Sequence, residues 1–365
     1  MPFESGSFAL AMFRMPKKLP ENSLELFASR QAGLLDQIKD EPVMGWVSGR
    51  HLLESRIDEE TAICGGHLHM CLRTAERKIP ATLLKAICRR EELIYMQANN
   101  TVSVPSKVRK QIKAEAVEKN LLKMPPSITG VPMVIDQAAG MLYLGCASQA
   151  QIDNFLALFL KTTEIEPLPF NIDYIAVHSC KCDPTSLHTL SFTDKSANED
   201  DPMPGRDFLT WLWYFSEMEG GTVKLDKYGE FALAIEGPLT FAYSAEAKGS
   251  GETSVKKGCP LRSAEAKAAL EVGKKLKKAK ILLVRGEERW TGSFDADKFV
   301  FSGLSLPDGE EMEHSSRFAE RIEFLHMFQM AMQEYVKTFI ESASGKEFKS
   351  LEKKIIKWAS ERASY

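Results

Sequence analysis

The stretch Val134–Ala147, VIDQAAGMLYLGCA, decides how the chain is built. The apolar run Met133–Ile135 and a second run, Met141–Ala147, face each other across a turn at Ala139–Gly140. Two short apolar runs around a glycine-containing turn read as a β-hairpin. Downstream, Ala150–Leu160 sets Ile152, Phe155, Leu156 and Phe159 at helical spacing and closes this half as a helix. Upstream, Pro125, Pro126 and Pro132 break the chain ahead of the hairpin.

Earlier still, Ser7–Arg14 (SFALAMFR) is a short continuous apolar run, the signature of a buried strand. Asn22–Ile38 carries Leu24, Leu26, Phe27, Leu34, Leu35 and Ile38 at roughly helical spacing, behind the capping residues Asn22 and Ser23. Ala62–Arg73 reads as strand with a Gly-Gly irregularity, and Thr82–Glu92 as a helix introduced by Pro80. Lys107–Leu122 forms a basic helix whose apolar stripe, Val108, Ile112 and Ala116, is thin enough for the helix to stand out from the body.

The second half follows a similar order. Phe170–Val177 is strand-like, Ser191–Pro204 is polar, and Phe208–Phe215 (FLTWLWYF) is apolar and aromatic. Thr222–Leu225, Phe231–Ile235, Ile281–Val284 and Phe299–Leu304 read as strands, and Ser316–Ser342 as a long closing helix. Ser263–Lys280 reads as a second basic helix, with Ala269, Val272, Leu276 and Ala279 on one face and Lys267, Lys274 and Lys278 on the opposite one. Strands interleaved with helices make this an α/β chain of α+β type: mixed sheets, flanking helices, a protruding basic helical segment and two loosely related halves. At 365 residues the chain exceeds one typical core. The expected division is 1–80 with 130–170 as a first unit, 81–129 as the protruding segment, and 171–365 as a second unit.

Charge is distributed unevenly. Residues 101–123 carry six basic and two acidic side chains, and 256–289 carry eleven basic and four acidic, within a chain of net charge −3. Concentrated cations in an otherwise anionic chain build a local field, and nucleic acid is the commonest polyanion to receive one. A pair of solvated helix faces is the simpler alternative. Thirteen of the seventeen cations in the two stretches are lysines. Compact, hydrated point charges suit phosphate contacts rather than bidentate reading of bases.

Several other chemistries find little support. No apolar run approaches the roughly 18–20 residues that span a bilayer, and the N-terminus lacks the basic region of a secretory leader. Seven irregularly spaced cysteines fit reduced thiols of a cytoplasmic protein better than a disulfide framework. Cys64, His67, His69 and Cys71 cluster, as do His178, Cys180 and Cys182, but neither group has the paired spacing of a zinc site. Asp136, Glu199, Asp200, Asp201, Asp295 and Asp297 are candidate carboxylates for a metal-dependent nuclease, without a recognisable motif; turn chemistry accounts more simply for Asp295 and Asp297. No P-loop, dinucleotide fingerprint or serine-hydrolase elbow occurs. Trp211, Trp213, Tyr214 and Phe215 offer stacking surfaces for bases, but such a run is more often core or subunit interface.

Several segments, in order, resemble the bacterial recombination-associated RdgC family. They are Met44-Gly45-Trp46-Val47, Gly66–Pro80 (GHLHMCLRTAERKIP), the Val134–Ala147 hairpin completed by Ser148, Glu271-Val272-Gly273-Lys274, and Phe318–Glu341. The resemblance implies a horseshoe-shaped subunit that closes with a second copy into a ring-shaped homodimer around duplex DNA, bound without sequence preference. It also implies a nucleoid-associated role that restrains RecA-driven strand exchange. By motif, Lys256 and Lys257 match the family's Lys-Lys pair, Lys274 the lysine of its EAGK, and Lys123 an arginine ahead of the hairpin. The chain departs where the family reads Arg-Ala-Phe and this sequence reads Lys123-Met124-Pro125, and in a longer 176–250 region with an acidic Asn198–Asp201 stretch.

The expected function is therefore non-catalytic, sequence-independent binding of double-stranded DNA by a homodimer, without a cofactor or a membrane. The candidate contacts are Lys107, Arg109, Lys110, Lys113, Lys123, Lys256, Lys257, Lys267, Lys274, Lys275 and Lys278. A metal-dependent DNA exonuclease and a module that binds an acidic protein partner are the alternatives.

Overall fold

A computed structural model describes residues 2–39, 41–193, 202–243, 251–310, 312–345 and 347–364. The acidic 198–201 stretch lies outside them. In chain order the first elements are β1 (Phe8–Arg14), α1 (Ser23–Ala28), β2 (Val43–Ser48), α2 (Glu59–Ala62), β3 (Ile63–Cys64) and β4 (His67–Arg77). Next come α3 (Ala81–Ala98), α4 (Ser106–Leu121), β5 (Pro126–Asp136), β6 (Met141–Leu144), α5 (Gln149–Thr163), β7 (Leu168–Pro169) and α6 (Ile172–His178). The chain continues through α7 (Pro204–Met218), β8 (Thr222–Leu225), β9 (Gly229–Ala242), β10 (Glu252–Val255) and α8 (Ala264–Glu271). It closes with β11 (Lys275–Arg285), β12 (Glu288–Asp295), β13 (Val300–Ser305), α9 (His314–Ser344) and α10 (Phe348–Glu361). This is an α+β chain, and its contacts divide it into two compact units, one of residues 1–19, 63–68 and 132–365 and one of residues 20–62 and 69–131.

The larger unit is built on an antiparallel sheet in the order β10-β9-β11-β12-β13-β1-β6, with Met133–Asp136 of β5 next to β6. β1 is the joint of that sheet: Phe8 and Leu10 pair with β13, and Ala11–Arg14 pair with β6. The hairpin forms as read, Val134 opposite Tyr143 and Ile135 opposite Leu142. Its turn is held by Asp136, whose Oδ1 accepts from the backbone N–H groups of Ala138 and Ala139 at 3.0 and 2.9 Å. All of Phe208–Phe215 is buried, so the aromatic run is core: Trp211 stacks on Phe215 and meets Phe339 of α9.

Three expectations need correction here. Ser263–Lys280 is not one helix: α8 stops at Glu271, Gly273 turns the chain at φ 86°, and β11 begins at Lys275. Lysine, alanine and leucine favour helices in isolation, but strand pairing on both sides outweighs propensity. β11 lies between β9 and β12, and Ala279, Ile281 and Leu283 alternate into the core. Phe170–Val177 is mostly helix rather than strand, because Asn171 caps α6 by accepting from the Tyr174 N–H at 2.9 Å. The expected helix over Asn22–Ile38 is cut to α1 and a single 3₁₀ turn at Leu35–Gln37.

That last departure has a local cause in the smaller unit. The backbone of Arg30 and Ala32 pairs with Trp46 of β2 (Trp46 N to Arg30 O 3.0 Å, Ala32 N to Trp46 O 2.8 Å), which pulls the segment out of helix. Trp46 is fully buried and meets Phe27 edge-on. Gly45 makes the close approach possible: a Cβ there would lie 2.4 Å from the Ala32 Cα. Gly45→Ala should therefore destabilise this unit by about 1–3 kcal/mol, the usual cost of overpacking, seen as earlier loss of Trp46 fluorescence change in urea. A variant that unfolds with the wild type would show that the two segments separate freely. β2 runs antiparallel to β4, Val47 opposite Cys71, and burial pushes the Cys71 thiol up to about 12.

Helices α3 and α4 complete the smaller unit and pack on each other along a groove lined by Ile94, Tyr95, Val108, Ile112 and Ala116. α3 has no fully buried residue and α4 only Ala116, in keeping with the thin stripe of the sequence.

Candidate nucleic-acid interface

The eleven candidate cations separate into two groups once their surroundings are known. On α4, Lys107, Lys110 and Lys113 recur at i+3 and are exposed. They have no acidic partner among the described residues, and neither does Lys123 beyond the end of the helix. Arg109 is exposed as well, with Glu92 of α3 at 3.8 Å. Lys123 is held out by its neighbourhood: Arg77 donates to the carbonyls of Ile38 (2.7 Å) and Met124, which fixes the chain leaving α4. The Lys123-Met124-Pro125 departure from the family pattern falls on this turn.

In the larger unit Lys256 and Lys257 follow β10 and are exposed, again without an acidic partner among the described residues. Lys257 sits at φ 68°, ahead of Gly258 at φ 64°. A lysine in the left-handed region is a costly conformation that persists where the surrounding structure imposes it, and such strain concentrates at working sites. The turn presents two adjacent ammonium groups to solvent beside a hollow lined by Thr253, Ser254, Cys259 and Ser263.

The remaining four candidates are engaged inside the unit. Lys275 is 1% exposed and its Nζ lies 2.6 Å from Asp207, itself 2% exposed, so it is a core cation rather than a surface one. Lys274 is buried too, donating to Thr253 Oγ1 at 2.6 Å with its ammonium 5.0 Å from the Tyr243 ring. Lys278 is half-exposed and donates to Asp295 at 2.8 Å, an interaction that raises its pKa. Lys267 is half-buried and donates to the Arg362 carbonyl at 3.1 Å. Lys274 and Lys275 are thus corrected from phosphate contacts to packing residues: the residues that end α8 and start β11 place both ammonium groups inside. Residue type shows charge and not burial, so the sequence could not separate them from their exposed neighbours.

The carboxylates considered for a nuclease are also accounted for where they are described. Asp136 holds the hairpin turn. Asp295 Oδ1 accepts from the Asp297 N–H at 3.2 Å in the turn after β12, and Asp297 forms a two-pronged pair with Arg206 at 2.6 and 2.8 Å. Glu199, Asp200 and Asp201 lie outside the described residues. Among the described residues no three His, Cys, Asp or Glu side chains converge as a metal site requires. His178 ends α6, and Cys180 and Cys182 follow it in the chain. All seven cysteines are thiols outside any disulfide, and among the described residues no helix is long and apolar enough to cross a membrane.

One polar anchor was not visible in the sequence. Glu217 on α7 accepts from Trp213 Nε1 (2.8 Å), Trp358 Nε1 (2.9 Å) and both terminal nitrogens of Arg362 (2.5 and 3.0 Å), docking α10. Burial works against its charge, but the hydrogen bonds from Arg362, Trp358 and Trp213 prevail and lower its pKa below the ordinary 4.5. A lowered carboxylate pKa adds stability that is complete above the unfolded value and is lost as pH falls through the folded one. Acidification below pH 4.5 should therefore loosen α10 in the wild type and have less effect in Glu217→Gln, read by the fluorescence of Trp358. Equal acid sensitivity in both proteins would count against Glu217 as the anchor.

Residues 9–176 match the family model RdgC, whose description reads "Putative exonuclease, RdgC". Over that stretch, a little under half of the chain, the sequence is similar to the RdgC family. The match runs from β1 into α6 and takes in the whole smaller unit, with the first basic stretch, MGWV and the hairpin motif. The Lys-Lys pair, EVGK and the closing helix lie beyond it. A search of curated proteins returned no match.

Proposed function

We propose that the chain is a non-catalytic, sequence-independent binder of double-stranded DNA with a role in recombination. The observation that carries this reading is the set of six exposed lysines, Lys107, Lys110, Lys113, Lys123, Lys256 and Lys257, unpaired by any described acid in a chain of net charge −3. Exposed lysines lose little by going unpaired, so these six are available to neutralise an external polyanion. Lysine tips neutralise phosphates without reading base edges, so affinity follows charge and salt rather than sequence.

The family resemblance extends the proposal to a homodimer that encloses the duplex and restrains RecA-dependent exchange at the nucleoid. The test is binding to a linear duplex and to the same sequence as a closed circle, with the molecular mass measured in the same buffer. Enclosure predicts a dimer that dissociates from linear DNA by way of its ends and is retained on circles. A monomer, or equal retention on both, would contradict it. The description of the family model keeps an exonuclease reading in view, and the same linear duplex tests it. Metal-dependent shortening from the ends, abolished by changing one carboxylate, would replace the binding reading.

A further inference from the structure

The C-terminal helix α10 carries a row of cations that the two basic stretches do not include. Its apolar side is fully used within the larger unit: Leu351, Ile355, Trp358 and Ala359 face inward, with Ile355 fully buried. Trp358 meets Trp213 edge-on at 5.3 Å, and the Arg362 guanidinium closes over both indoles at 4.0 and 4.6 Å. The opposite side presents Lys349, Lys353 and Lys357 at i, i+4 and i+8, all exposed. With a rise of about 1.5 Å per residue, the three ammonium groups form a line about 12 Å long. Lys349 and Lys353 have no acidic partner among the described residues, and Lys357 has only Glu361 at 3.9 Å, both side chains more than 60% exposed. Lys354 lies to one side, beside a hollow it shares with Glu341 and Glu347, and is not part of the row.

The lysines of β11, in the same unit, are engaged differently. On β11 the successive lysines pair with acids: Lys275 with Asp207, Lys277 with Glu252, Lys278 with Asp295 and Lys280 with Glu236. The α10 lysines differ from these in being exposed and aligned along one side of a helix, where an external anion can reach all three. Two classes of anionic surface suit a lysine-lined amphipathic helix. An interfacial membrane helix must bury its apolar face among acyl chains. Here that face is consumed by α7, α8 and α9. Only the lysine tips are available, which suits a phosphate backbone. A strand of duplex DNA offers a charge for every 3.4 Å or so of helix axis, and a 12 Å row is long enough to face more than one phosphate.

We propose that Lys349, Lys353 and Lys357 form a phosphate-backbone contact of their own, additional to Lys256 and Lys257 and resting on the reading of the chain as a DNA binder. The test compares the full-length chain with the triple variant Lys349→Ala, Lys353→Ala and Lys357→Ala, by fluorescence anisotropy on a labelled duplex from 50 to 200 mM salt. The expected result is affinity weakened by roughly 10- to 100-fold near 150 mM salt and a log–log salt slope flatter by about 2 to 3. The triple arginine variant should keep both values, and the melting temperature should change little, since the three side chains are exposed. An alanine variant with the wild-type slope overturns the row while leaving the wild type a DNA binder. A wild type that binds no duplex overturns the DNA-binding reading itself. Vesicles of phosphatidylserine and phosphatidylcholine provide the other arm: sedimentation with them that the alanine variant loses, with duplex binding unchanged, would assign the row to a membrane instead.

Discussion

Asp207→Ala should lower the unfolding free energy of the larger unit by about 3–5 kcal/mol, because it leaves a buried ammonium without its counter-charge. Asp207 of α7 and Lys275 of β11 are 2% and 1% exposed and 2.6 Å apart. Asp207 also accepts from the Leu190 N–H at 3.2 Å, and the adjacent Leu276 N–H donates to Thr210 Oγ1 at 2.8 Å. The pair thus lies where the helix is pinned to the sheet, and an unpaired charge there disturbs the core around Trp211 and Trp213. Replacing both partners, as Asp207→Leu with Lys275→Met, should recover most of the loss, since well-packed apolar residues can substitute for a buried pair. Urea unfolding followed by tryptophan fluorescence reads both effects. If Lys275→Ala instead leaves stability intact and flattens the salt dependence of DNA binding, Lys275 is a phosphate contact and its placement in the core is wrong.

Removing the charges of Lys107, Lys110 and Lys113 together should have the opposite profile. These side chains are exposed on α4 and unpaired by described acids, so alanine should change the melting temperature by little. Binding to any duplex should weaken by roughly 10- to 100-fold near 150 mM salt, and the salt slope should flatten by about 2 to 3. Reversing them to glutamate should weaken binding further without creating a sequence preference. Equal affinity of the alanine variant and the wild type across 50–200 mM salt would remove α4 from the interface. Set beside the Asp207 variants, the comparison separates cations that hold the fold from cations that face outward.

What the sequence made legible follows from how local each signal is. The hairpin Val134–Ala147 is visible because strand alternation and the turn lie within one short stretch, and Asp136 then satisfies the turn backbone. β11 was hidden because its lysines, alanines and leucines are good helix formers. Its strand state depends on pairing with β12, the next strand in sequence, on one side and with β9, from upstream of β10 and α8, on the other. The short α1 was hidden for the same reason, since it ends where Ala32 meets Trp46 and a glycine allows the approach. The candidate cations were identified by charge alone. Charge does not distinguish Lys275, held by Asp207, from Lys256, which faces solvent, because the partner acid lies far away in sequence. α10 passed unread because its apolar positions are few and become meaningful only against Trp213 and Glu217 of α7.

The most direct measurement is the slope of log affinity against log salt for the wild-type chain on two duplexes of unrelated sequence. Six exposed lysines, unpaired by any described acid, predict a linear decline with a slope of up to about −5 per subunit from these residues, the same for both duplexes within error. A slope near zero, or a clear preference for one sequence that persists at every salt concentration, would contradict binding by phosphate neutralisation.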